Sequence, residues 1–223
     1  MDCPFKFQAQ PGSGFLQSLA SPDPIWHTWP VTAACFLARH PATWQQAISH
    51  RFLDGVRSGA LPSGAFETWL VQDYLFVTDL LVFQARLLAS APFSAQSVLS
   101  GGVMALESEL SWFEEQAARR GLELAADRLP ATRAYAAELE RLAAAPFPVA
   151  MTALWAMERA YFDAWQSAVP GTEPYREFVQ HWTQPDFRAY VSDLEKHTVD
   201  SAQAEAIWFR IVGLERDFWS MAV

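Results

Sequence analysis

The chain has 223 residues, 51% hydrophobic and 18% charged, which suits one large domain with a substantial core and excludes a disordered chain. A net charge of −9 sets its surface against phosphate backbones and anionic lipid, so nucleic acid and membranes are excluded as partners. Two cysteines, Cys3 and Cys35, support neither a disulfide framework nor Cys/His metal spacing, and no signal-like leader or apolar run of about 18 residues occurs; a cytoplasmic protein without a Cys/His metal site is expected.

Residues 1–40 read as an N-terminal arm. Gly12-Ser13-Gly14 and the prolines Pro11, Pro22, Pro24 and Pro30 interrupt any long helix there, while Trp26, Trp29 and Phe36 give the arm something to pack with. From 41 to 223 the pattern is helix after helix. A first helix is predicted from Pro41 to Arg57, stopped by Ser58-Gly59 and Leu61-Pro62. The second begins at Ser63 as N-cap and runs to Ala89, ahead of Pro92. The third runs from Ser94 to Gly121, with Arg119-Arg120 at the negative end of its dipole. A fourth opens after Pro130 with Thr132 as cap and stops before Pro146. Phe147 to Val169 is the fifth, closed by Pro170-Gly171. A short helix starts at Glu173-Pro174, and the last two start at the caps Asp186 and Ser201. Alternating apolar/polar runs and hairpin turns are missing, so the predicted fold is an all-α bundle of seven or eight helices.

Three of these helices carry an acid on the stripe that should be buried. The stripes are Phe66, Leu70, Asp73, Val77, Leu80; Met151, Leu154, Glu158, Tyr161, Trp165; and Trp208, Ile211, Glu215, Phe218. A buried carboxylate needs a partner or holds its proton. Any one of them is most simply explained by an internal Arg or Tyr. Three beside aromatic residues on three helices point instead to a shared pocket for a small molecule. Other chemistries find no motif. No Glu is followed by His three residues on, which removes the di-iron carboxylate bundle. No GxSxG elbow, Walker A loop or GxGxxG is present. The histidines His27, His40, His50, His181 and His197 are unclustered, with His181 of interest because Trp182 follows it. Glu114, Glu115, Arg119 and Arg120 read as a solvated helix face.

The segment Leu61-Pro62, Phe66, Leu70-Val71-Gln72-Asp73-Tyr74-Leu75-Phe76 resembles the LP…F…QD signature of the TenA proteins (thiaminase II). Ala153 to Tyr161 is similar to a core helix of that family, and Glu215-Arg216-Asp217-Phe218-Trp219 to its C-terminal ExxFW element. Pro174-Tyr175, Trp182, Asp186-Phe187 and Tyr135 fit as well, so the resemblance covers roughly residues 41–221. It implies the haem-oxygenase-like helical fold shared with the PQQ-synthesis oxidase PqqC, a role in thiamine salvage, and a homo-oligomer, either tetramer or dimer.

By position, the resemblance gives Asp73 the amino group and ring nitrogen of an aminopyrimidine, has Tyr135 and Trp182 flank the ring with Phe76 and Tyr161 as further contacts, and makes Glu215 the general acid/base. Met157 falls where the best-known subclass has its nucleophilic Cys, and Glu158 beside it matches a subclass that lacks the Cys and has a Glu in its active site. Phe76 stands where a Tyr is common. The implied activity is a cofactor-free hydrolase of an amino- or formylaminomethyl pyrimidine; a PqqC-like oxidase and a non-catalytic ligand-binding protein are the alternatives.

Overall fold

The computed structural model describes residues 32–223; the expectations for Cys3, Gly12-Ser13-Gly14, Trp26 and Trp29 lie outside them. Among the described residues there are ten helices and no strand, in the order α1 (Cys35–Arg39), α2 (Pro41–Ile48), α3 (Arg51–Ser58), α4 (Ala65–Ala89), α5 (Phe93–Arg120), α6 (Pro130–Leu142), α7 (Phe147–Ser167), α8 (Arg176–Trp182), α9 (Pro185–Glu195) and α10 (Ala202–Ser220).

The organising element is α7. Residues 149–158 are buried without a break, and Ala150, Ala153, Ala156, Ala160 and Ala164 keep its surface thin enough for neighbours on several sides. α10, α2 and α9 pack on it, and the long α4 packs on α5 along one side and on α6 along the other. Residues 32–40 join this body. Phe36 is fully buried, 6.0 Å from Trp208 between ring centroids, and the Ala33 amide donates to Thr198 Oγ1 at 2.9 Å.

Several helix ends depart from the sequence expectation, each for a local reason. The helix predicted over 41–57 is two, because Ser49 and His50 are extended and the His50 ring accepts from the Phe52 amide to start α3. Ser63 does not cap α4; Gly64 does, with φ at 78°, a conformation glycine adopts without penalty. α5 begins at Phe93 rather than Ser94 and ends at Gly121, φ 65°, whose following residue returns a hydrogen bond to Ala117 O. α6 starts at Pro130, so Thr132 lies inside its first turn and its hydroxyl donates to Gln72 Oε1 at 2.7 Å instead of capping. α7 stops at Ser167, α8 starts only at Arg176, and α9 starts at Pro185, which puts Asp186 in the first turn. Ser201 does cap α10, accepting from the Ala204 amide at 3.1 Å.

The QD pair on α4 separates into two jobs. Gln72 Oε1 accepts from the Leu129 amide and Thr132, and its Nε2 donates to Asp127 O, so this side chain ties residues 127–132 to α4. Asp73, one residue further round the helix, faces the opposite task.

Candidate functional site

α4, α5, α7, α8, α9 and α10 enclose a cavity of about 270 Å3. α4 contributes Asp73, Phe76, Val77 and Leu80, and α7 contributes Met157, Glu158 and Tyr161. Glu215 comes from α10 and Trp182 with His181 from α8. The remaining walls are Gly102, Ala105, Leu106 and Glu109 of α5 and Asp186, Phe187 and Tyr190 of α9. Ala105 and Asp186 are exposed and mark where the cavity reaches solvent. Among the described residues the wall holds five carboxylates and one histidine, with no Lys or Arg.

Asp73, Glu158 and Glu215 come together as the helical stripes require, one per helix. Each is buried, and burial is the first cause that pushes each carboxyl up to about 8. For Asp73 the Tyr161 hydroxyl, donating to Oδ2 at 2.7 Å, pulls the other way, while the charge of Glu109 adds to the rise. Asp73 Oδ1 is buried with no partner among the described residues. Glu215 accepts a hydrogen bond from the Tyr135 hydroxyl, which opposes its rise, whereas Asp73 and Glu158 reinforce it. For Glu158 only Glu109 adds to burial. Two of the three acids thus have a Tyr partner, and among the described residues none has an Arg.

The aromatic residues divide. Phe76, Tyr161 and Trp182 line the cavity. Tyr135 does not. It is buried behind the wall, its ring 4.6 Å from Phe76 and its hydroxyl on Glu215, so it holds an acid in place rather than flanking a ligand. Behind Tyr161 and Trp182 stands a cluster in which Trp165 lies 4.6 Å from Trp182 and Trp69 lies 5.2 Å from Trp165, a rigid backing for the floor. Met157 is on the wall and its thioether is no nucleophile; Cys35 is not among the lining residues.

Glu109 was missed in the sequence. It shares α5 with Glu107, Glu114 and Glu115, a run of acids that reads as a solvated face, although Leu99, Leu106 and Phe113 stand on its own stripe. In the fold its Oε1 accepts from the Trp182 indole at 2.6 Å and its Oε2 lies 2.7 Å from His181 Nε2. His181 in turn lies flat on Trp112, centroids 4.0 Å apart and planes 1° from parallel. Tyr190 was missed too. Its hydroxyl donates to the buried Gln84, and both crowd Gly102 so closely that any Cβ there would collide with them.

No helix among the described residues is long and apolar enough to cross a membrane, and no cluster of potential metal ligands occurs among them. The fold matches solved structures closely. A TenA homologue from Pyrococcus furiosus superposes with a TM-score of 0.80 at 27% identity, over 86% of this chain and 99% of that one. A TenA-like thiaminase from Sulfolobus solfataricus gives 0.75 at 16% identity, over 85% of this chain and 94% of that one, a likeness of fold alone. Among curated sequences, a probable bifunctional TENA-E protein from Glycine max is 29% identical over 209 residues, 84% of this chain and 91% of its own length. The model of the TENA/THI-4/PQQC family matches residues 37–223, and with the helical architecture in agreement the chain belongs to that family.

Proposed function

We propose that the chain is a cofactor-independent hydrolase of aminopyrimidines in thiamine salvage, removing an amino or formylamino substituent from the methylene arm of a methylpyrimidine. The observation that carries this reading is three buried carboxylates from three helices converging on one cavity whose wall holds no Lys or Arg. Their relatives' names point the same way: one is called a thiaminase and another a bifunctional TENA-E protein.

The chemistry follows from the groups present. Asp73, with its unpartnered Oδ1, offers an O–H to a ring nitrogen and a carbonyl oxygen to the adjacent amino group, a donor and an acceptor side by side. Phe76, Tyr161 and Trp182 supply flat apolar surface for the ring. Glu158 and Glu215 interact through their charges, so one ionises while the other keeps its proton. The ionised one takes a proton from water as oxygen attacks the methylene carbon. The protonated one delivers its proton to a neutral departing nitrogen as the carbon–nitrogen bond breaks, whereas an ammonium arm leaves as ammonia with the protons it already carries, giving a hydroxymethyl pyrimidine and formamide or ammonia. Met157 removes the thiolate route, and Glu158 beside it takes over the task of generating a nucleophile.

A PqqC-like reaction on an acidic quinone is disfavoured by the same wall, since five carboxylates without a Lys or Arg repel a polyanion. Met157 favours a second reading, a binder that has lost turnover. A panel of thiamine and aminomethyl and formylaminomethyl pyrimidines, followed by mass spectrometry with and without iodoacetamide, separates the two. Turnover insensitive to alkylation supports the hydrolase; binding without product on every compound supports the binder. The reading includes assembly into a dimer or tetramer, supported by Phe93 and Met104, which stand 90% and 71% exposed on α5. Light scattering that returns a monomer would remove that part alone.

A further inference from the structure

We propose that Glu109 is the specificity-determining residue of the cavity, selecting a ligand whose methylene arm carries a cationic amine over one carrying a neutral group of similar size. The inference rests on the hydrolase reading and deepens it, because it commits the site to the amine rather than the formylamide.

Its basis is how Glu109 is held. One carboxylate oxygen takes the Trp182 indole N–H at 2.6 Å and the other lies 2.7 Å from His181 Nε2. These contacts fix the carboxylate on the wall and leave a second acceptor direction at each oxygen. His181 cannot swing away freely, since its ring is stacked on Trp112 at 4.0 Å. The group therefore sits as a placed charge rather than a mobile surface acid.

Among the described residues no Lys or Arg on the wall cancels it, and His181, paired with its Oε2, does so only when protonated. The other lining groups that carry or can carry charge are Asp73 of α4, Glu158 of α7, Glu215 of α10, Asp186 of α9 and His181 of α8, and none is a Lys or Arg. Asp73, Glu158 and Glu215 are held up near 8 and together carry less than their full negative charge at neutral pH, with one member of the Glu158 and Glu215 pair ionised, and the field of Glu109 is itself one cause of the rise at Asp73 and Glu158. Its charge is thus felt at Asp73, which would hold the ring, and at Glu158, beside which the ligand's arm would lie. A cationic amine there gains a charge-assisted contact; a hydroxyl or an amide does not. The same difference loosens the neutral hydroxymethyl product after the amine has left.

The test is calorimetric titration near pH 7.5 of two probes, an aminomethyl aminopyrimidine and its hydroxymethyl isostere, into the wild-type protein, Glu109→Gln and Trp182→Phe. The wild type should prefer the amine by about tenfold or more, the scale of one charged hydrogen bond. Glu109→Gln should lose that preference by weakening the amine while leaving the alcohol nearly unchanged. Trp182→Phe keeps the charge and its His181 contact but loses stacking area and the indole N–H, so both probes should weaken while part of the preference survives. A Glu109→Gln protein with the wild-type preference, or one that binds both probes equally less well, overturns the proposal. Should that variant fail to fold, Glu109→Asp withdraws the charge by one methylene, and an unchanged preference there overturns it equally. Wild-type protein that binds neither probe overturns this inference and the hydrolase reading together; wild-type binding with no loss of selectivity in the variants overturns this one alone.

Discussion

Two regions of this molecule bury acids, and they treat them oppositely. On α6, Glu138 has its side chain wholly out of solvent, with Arg141 from its own helix and Arg210 from α10 closing on it. Burial pushes the Glu138 carboxyl up, but the two guanidiniums outweigh it and hold the group below its ordinary value. Around the cavity Asp73, Glu158 and Glu215 are also closed to solvent, meet no Lys or Arg among the described residues, and stand near 8. All four acids are closed to solvent, so exclusion of water alone does not make a site. What separates them is whether the fold answers the charge. An acid answered by arginine is finished as a structural element, whereas an acid left with a tyrosine or with nothing retains free energy for a ligand to satisfy.

The sharpest way to break this contrast is at the cavity glutamates. Glu158→Gln and Glu215→Gln should each lower kcat by about 10²–10⁴ with the thermal midpoint little changed, in steady-state assays of an aminomethyl pyrimidine. Glu138→Gln should do the reverse. The orphaned Arg141 and Arg210 side chains, already 53% and 59% exposed, can turn to water, so the loss is about 1–3 kcal/mol of stability and ligand affinity stays put. Differential scanning calorimetry reads that as a fall of roughly 2–10 °C in a chain of this size.

A smaller and continuous effect is the pH dependence of stability. Between about pH 5 and pH 8 the native chain keeps protons on Asp73, Glu158 and Glu215 that the unfolded chain releases nearer its ordinary 3.8 to 4.5. The unfolded state then binds fewer protons, so stability falls as pH rises through that window and levels off above it. Glu138 runs the other way: its contribution is present above 4.5 and is lost as pH falls below that value. Thermal midpoints across pH 5 to about 8 should therefore decline in the wild type and flatten when Asp73→Asn, Glu158→Gln and Glu215→Gln are combined. Smallest is Tyr161→Phe, which removes the donor that restrains Asp73. The Asp73 carboxyl should rise further and ligand affinity drop about two- to tenfold by calorimetry.

The same comparison shows how far sequence carried. The three cavity acids were visible because each interrupts an apolar helical stripe with a polar group, and stripe position predicts burial well on helices packed on one face. Glu138 sits on an equally good stripe with Thr132, Tyr135 and Leu142, yet stripe logic alone gives it no different standing. Arg141, three residues on, is the local hint that it is answered; Arg210, from another helix, is not visible at all. Glu109 was missed although it interrupts a stripe of the same kind, Leu99, Gly102, Leu106, Phe113 and Ala117, because Glu107, Glu114 and Glu115 nearby made α5 read as a solvated acidic helix. Tyr135 was placed on the right helix at the right depth but one layer too close to the ligand, because sequence fixes a side chain's face and not which neighbour stands in front of it. The break at Ser49-His50 and the Gly64 cap were missed because Ser63 and an unbroken helical pattern offered locally adequate alternatives that tertiary packing overrode.

The central claim is that three buried carboxylates without a cation form one hydrolytic site. The most direct measurement is a mass-spectrometric time course of wild-type protein with an aminopyrimidine bearing an aminomethyl arm, in parallel with the Glu158→Gln, Glu215→Gln double variant. The expected result is hydroxymethyl pyrimidine and ammonia in equal amounts from the wild type, undiminished by iodoacetamide, and none from the folded double variant. Full recovery of the substrate from wild-type protein that binds it, or undiminished product from the double variant, would contradict it.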